Sequence, residues 1–148
     1  MINPNERLIE AAKSGNLVEL RAALDAGAIV DNKIDGNTAL LWASAYGYLE
    51  IVKELINRGA DKNIQDVEGF TPLSWASSLG RINVVSELVS RGVDITIKNK
   101  FGQSAYDLSA TEQIKNILLY ARAAAPAAGG SIYQHKLQKY VNKLNKII

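Results

Sequence analysis

The chain has 148 residues, 47% of them hydrophobic, with a formal net charge of +2. These values suit one folded domain and exclude wholesale disorder. It contains no cysteine, which removes disulfides, thiolate metal ligands and cysteine nucleophiles from consideration. No apolar run reaches the length of a membrane-spanning helix, and residues 1–10 lack a basic-then-apolar secretory pattern, so a cytoplasmic protein is expected. Of 17 basic and 15 acidic side chains, four lysines and no acid fall in residues 123–148, which leaves 13 basic and 15 acidic in residues 1–122. The body is near neutral and the tail is basic.

From the N-terminus, Asn3, Pro4 and Glu6 predict a capping box with proline at the first helical position, opening the segment RLIEAAKSG. Asn16 and Glu19 predict a second box before LVELRAALDAG. From there the sequence repeats itself. Gly36, Gly69 and Gly102 are 33 residues apart, as are Trp42 and Trp75, Gly47 and Gly80, and Gly59 and Gly92. Gly15 to Gly47 and Gly27 to Gly59 echo the pattern at a spacing of 32. A fixed period in this range marks one supersecondary unit copied and stacked.

Within the period that begins at Gly36, Thr38 is a favoured N-cap before an apolar stretch that stops at Gly47, and a second stretch stops at Gly59. In the next period Thr71 and Pro72 give the same start, with stops at Gly80 and Gly92. Each period therefore predicts helix, tight turn, helix and loop. Ile51, Val52, Leu55 and Ile56 form one stripe of the second helix, and Val84, Val85, Leu88 and Val89 form its equivalent. Leu40 and Ala43, and Leu73 and Ala76, face inward from the first helices. Such short helix pairs cannot cover their own apolar faces, so the units must stack. Ser104 and Asp107 predict a third box, and Ile114, Ile117 and Leu118 mark the last helix of the array.

Residues 123–131 change to AAAPAAGGS, with Pro126 and Gly129-Gly130 breaking helix, and read as a linker. Residues 132–148 follow as a basic amphipathic helix, its stripe formed by Leu137, Val141, Leu144 and Ile148 and its other faces by Lys136, Lys139, Lys143 and Lys146. Just over two heptads form a marginal helix in isolation, so order is expected only where the stripe is covered. A protein partner or self-association ranks first, capping of the array second and an anionic membrane third, since four lysines contribute only about 1 kcal/mol each at such a surface. Nucleic acid is not expected, because the slightly acidic body repels phosphate.

Residues 5–122 resemble the ankyrin repeat family. Its consensus is visible in DGNTALLWASAYGYLEIVKELINRGADKN, residues 35–63, and again in VEGFTPLSWASSLGRINVVSELVSRGVDIT, residues 67–96. The resemblance implies an all-α helix-turn-helix solenoid over residues 1–122, with two full internal repeats between atypical ends and the basic helix appended. The departures are Leu41 and Ser74 at the family histidine position, Lys62 at an apolar loop position, and a loop one residue short before Gly36. The family binds other proteins through loop tips and a concave groove. The register places Ile34, Val67, Phe70 and Phe101 at the tips and Tyr46 and Leu79 in the groove, and these are the candidate partner-binding residues. Trp42 and Trp75 are expected to pack between repeats. The alternative reading is a peripheral membrane or secreted effector-type protein whose tail docks on an anionic surface. Catalysis is not expected: His135 is the lone histidine and has no acid near it in sequence, and neither a cofactor nor a metal is implied.

Overall fold

The computed structural model describes residues 2–124 and, beyond them, Lys139, Asn142, Lys143 and Lys146. Among residues 2–124 seven helices follow in order: α1 (Pro4–Ser14), α2 (Leu17–Asp25), α3 (Ala39–Tyr46), α4 (Leu49–Asn57), α5 (Pro72–Ser78), α6 (Ile82–Ser90) and α7 (Glu112–Ala124). No strand is present among the described residues, where β-pairing is limited to an isolated bridge between Ile34 and Asn37.

The helices start where the sequence caps them. Asn3 accepts the Glu6 N–H while the Glu6 carboxylate accepts the Asn3 N–H, which is the full box. Thr71 and Ser74 make the same reciprocal pair at α5. At α2 only half of the expected box forms: Asn16 accepts from Glu19, but the Glu19 side chain turns to Arg7 at 2.8 Å. An arginine within reach is the stronger partner for a half-exposed carboxylate.

Consecutive helices pair as α1–α2, α3–α4 and α5–α6, and the pairs stack into two layers. The first helices α1, α3 and α5 lie side by side in the inner layer, and α2, α4, α6 and α7 form the outer layer. One core runs through the stack, with Leu8, Leu20, Leu40, Leu55, Leu73, Leu88 and Ile114 at its centre. The inward alanines Ala43 and Ala76 are fully buried, which permits close approach of the inner helices.

The fourth unit departs from the other three. Ser104 and Asp107 do form their box, but it opens a single turn, closed by the Leu108 N–H on Ser104 O. Thr111 then accepts the Ile114 N–H as the cap of α7. Two caps seven residues apart leave no room for an inner helix. α7 itself extends through Ala124, two residues beyond the expected end of the array at 122. The stripe Leu137, Val141, Leu144 and Ile148 lies outside the described residues. Lys139, Asn142 and Lys143 are helical and, like Lys146, exposed.

Polar ties join successive loops. The Asp31 carboxylate accepts the Asp61 N–H at 3.1 Å, and one repeat on, Asn63 Oδ1 accepts the Asp94 N–H at 2.9 Å. Lys62, out of place in an apolar register, stretches its ammonium to Arg91 O at 2.7 Å and satisfies a carbonyl at the C-terminus of α6. Ser74, at the family histidine position, spends its hydroxyl on Thr71 within its own repeat, and Leu41 is buried. On the outer face Arg58 pairs with Asp25 at 3.0 Å, and Arg91 donates to Asn57 at 2.8 Å. As exposed pairs these set register more than they add stability.

Candidate functional site

The concave side of the stack is built by α3, α5 and the loop tips that precede them. Residues four apart on a helix share a face, so Trp42 and Tyr46 project together from α3, their rings stacked at 5.8 Å and 16°. Trp75 and Leu79 repeat the arrangement from α5. Between the two helices opens a cavity of about 280 Å³ lined by Trp42, Tyr46, Val67, Trp75, Leu79 and Asp66, with Asn37 at its edge.

The tip at residues 66–70 is held by one carboxylate. Asp66 Oδ1 accepts the N–H groups of Glu68 and Phe70 at 3.0 and 2.9 Å, and Oδ2 accepts Trp75 Nε1 at 2.8 Å. Asn99 does the backbone part of this work one repeat later, accepting from Phe101 and Gln103. Gly69 adopts φ +85°, and a Cβ there would lie 3.0 Å from Asn99 Cα. Only glycine permits the two tips to approach this closely, and the Lys100 N–H bonds Glu68 O across the gap at 2.9 Å.

The first tip is built differently. Asp35 and Gly36 both take positive φ, 52° and 81°, and Ile34 and Asn37 exchange two backbone hydrogen bonds around them. This is a two-residue turn of the primed type, the structural form of the missing residue. By its backbone pairing, Ile34 stands where Asp66 and Asn99 stand in later repeats. An isoleucine cannot accept, and Trp42 Nε1 is left buried without a partner. Ser44 Oγ and Ser77 Oγ, 33 residues apart on the inner helices, are the further buried polar side-chain atoms among the described residues that lack one.

The structure brings three of the six candidate residues together: Tyr46, Val67 and Leu79, which are 44%, 63% and 45% exposed, share the cavity. Phe70 is half-buried and stacks behind Trp75 at 4.8 Å, so it supports the groove wall. Ile34 packs half-buried against the core at the first tip. Phe101 is 67% exposed at the third tip and does not line the cavity. Trp42 and Trp75, expected between repeats, are half-buried and also form much of the groove wall. Trp42 packs against the core and carries Tyr46 and Lys13 on its ring, whereas Trp75 carries Phe70 on one face, and what is left of both rings lines the cavity. The signal for this was the Trp–x3–Tyr and Trp–x3–Leu spacing, which puts each tryptophan on the same face as a groove residue.

Lys13 Nζ sits 4.8 Å from the centre of the Trp42 ring, so a cation already rests on this aromatic surface. A second hollow of about 370 Å³ lies at the other end of the array, between the turn at residues 104–108 and α7, lined in part by Lys98, Asp107, Leu118, Leu119 and Arg122. Ser104, through its N–H and then its hydroxyl, holds the Asp107 carboxyl below the ordinary aspartate range, with Lys98 adding a smaller effect. Among the described residues no group of histidine, cysteine, aspartate or glutamate could hold a metal ion, and no helix is long and apolar enough to cross a membrane.

The family model for ankyrin repeats (three copies) matches residues 8–99. Curated relatives include ankyrin repeat domain-containing protein 29 of Danio rerio, 49% identical over 57 residues that make up 37% of this chain and 19% of that protein. The E3 ubiquitin-protein ligase Ufd4 of Drosophila melanogaster is 43% identical over 61 residues, 40% of this chain and 2% of the ligase. The chain thus spans less than a fifth of either relative, and the Ufd4 match takes in only a small repeat region. Two stacked layers of capped helix pairs, tip loops tied at a 33-residue period and a family match over most of the described array lead to one assignment: the chain belongs to the ankyrin repeat family, whose repeats are protein–protein interaction modules.

Proposed function

We propose that this chain is a non-catalytic binding module that holds a protein partner in the groove between α3 and α5 and along the tips at residues 66–70 and 99–103. The carrying observation is the cavity itself. Tyr46, Val67 and Leu79 present large apolar surface to solvent beside two half-open indoles, whereas a face meant only for water would place polar groups there. Aromatic anchors at the centre of a concave surface are the usual source of binding energy at interfaces. The basic segment after residue 131 adds a recruiting or self-associating element, a reading supported by its exposed Lys139, Lys143 and Lys146. A cytoplasmic setting goes with this reading.

The test is capture of partners on the immobilised full chain, compared with a Tyr46→Ala/Leu79→Ala variant and with a chain ending at residue 124. Loss of a partner from the double variant, with its circular dichroism unchanged, supports the groove. A partner set that does not change excludes it, and loss confined to the shortened chain moves the binding function to the tail.

A further inference from the structure

The chemistry of the groove narrows the kind of side chain that can enter it. Both indole N–H groups are out of play, since Trp75 Nε1 is held by Asp66 Oδ2 and Trp42 Nε1 is buried. A peptide carbonyl seeking a donor from either tryptophan therefore finds none, which disfavours recognition of an extended proline-rich backbone by indole N–H groups. What the cavity offers is ring face and acceptors. The Asp66 carboxylate lies in its wall, and Asn37 turns its Nδ2 to Asp35 O, leaving its own Oδ1 to accept. Ring faces carry negative π density and attract cations, and Lys13 over Trp42 is an instance inside the molecule. The body of the array, with 13 basic and 15 acidic side chains in residues 1–122, is near neutral, and because Lys13 already holds the Trp42 side of the cavity, a second cation is favoured on the Trp75 and Asp66 side.

We propose that the cavity between α3 and α5 seats one arginine side chain of the partner protein, its guanidinium against the side of the Trp75 ring away from Phe70 and its N–H groups directed to Asp66 and Asn37. Arginine suits the site better than lysine. The lining is mostly ring and aliphatic carbon, and a guanidinium is more weakly hydrated than an ammonium, stacks on aromatic planes and still donates in its own plane. This proposal rests on the groove reading above and adds the charge of the occupant to it.

The chain's two tryptophans both line the cavity, so intrinsic fluorescence of the full chain reports occupancy. The probe is the acetylated, amidated tripeptide Gly-Arg-Gly, set against the same peptide with citrulline, which keeps the shape and removes the charge, and against Gly-Lys-Gly. The arginine peptide should give a saturable change, with the citrulline peptide about tenfold weaker and the lysine peptide weaker than arginine. Asp66→Asn should weaken the arginine peptide about tenfold. The change should leave the tip folded, because Asn99 ties the next tip with the same two backbone bonds. The proposal fails if the arginine peptide does not saturate, if citrulline or lysine binds equally well, or if Asp66→Asn has no effect. The citrulline comparison uses the unaltered protein, so it decides the matter even if the variant is unstable. Should citrulline bind as well as arginine while Tyr46→Ala/Leu79→Ala still abolishes partner capture, the groove stands and only its preference for a cation falls.

Discussion

Leu73→Ala is the sharpest test of the stacking. Leu73 lies in α5, is 1% exposed, and packs in the inner layer between α3 and α6. Truncation removes three carbon atoms, worth about 2.4 kcal/mol at roughly 0.8 kcal/mol per buried methylene. The void adds to that cost, because Pro72 and the Thr71–Ser74 box fix this end of the helix and limit collapse. A total of about 3–4 kcal/mol results, within the 2–5 kcal/mol span typical of such substitutions. Set against a total stability of about 5–15 kcal/mol for a domain of this size, the loss is large. Urea unfolding followed by circular dichroism and by tryptophan fluorescence should show it as a lower midpoint at unchanged slope. A loss under about 1 kcal/mol would mean that α5 does not carry the inner layer, and the register assigned to the repeats would be wrong.

Ser77→Ala should be neutral or stabilising by up to about 1–3 kcal/mol in the same assay, because its buried hydroxyl has no partner and Ala12, also fully buried, already fills the equivalent place in the first repeat. Tyr46→Ala with Leu79→Ala should shift the thermal midpoint by only a few degrees, since both side chains are nearly half exposed. A collapse of helical signal would place them in the core. Gly69→Ala and Gly92→Ala both impose a positive φ on alanine, but an added Cβ meets Asn99 backbone at the first site and open space at the second. Gly92→Ala should cost about 1 kcal/mol and Gly69→Ala distinctly more, and equal losses would refute the tip-to-tip contact. Asp94 is held below its ordinary value of 3.8 by the hydroxyl and then the N–H of Thr96, as Asp107 is by Ser104. A lowered folded-state pKa gives stability that is present above about pH 4 and lost as pH falls through the lowered value. The fall in urea midpoint from pH 5 to pH 3 should therefore shrink in an Asp94→Asn/Asp107→Asn variant.

The stack was legible because its signals are local. Capping residues, αL glycines and one-sided stripes each act within a turn or two, and Leu40, Leu55, Leu73 and Leu88 are buried as their spacing requires. Three things were not legible. The groove role of the tryptophans was hidden because a helix of seven or eight residues leaves a wide side chain near both core and groove. The last inner helix was lost because the choice between two competing caps, Ser104 and Thr111, depends on where α7 settles against α6. Phe70 looked like a rim anchor, yet the Asp66 ties bend the tip so that its ring falls on Trp75. That outcome depends on side chains four residues before and five residues after it within the same repeat, and a linear pattern does not record how they fold together.

The shortened first tip has a consequence for changing chain length. The ties that align successive repeats, Asp31 to Asp61 and Asn63 to Asp94, are completed before each tip begins. The pitch of the array is thus set upstream of the turns, and a residue can be lost at Asp35-Gly36 while α3 still meets α1 and α5. The turns are therefore the natural places to splice foreign sequence. A short peptide grafted between Asp35 and Gly36 would project beside the groove without disturbing the helices beneath it, and the array could display chosen epitopes at its rim.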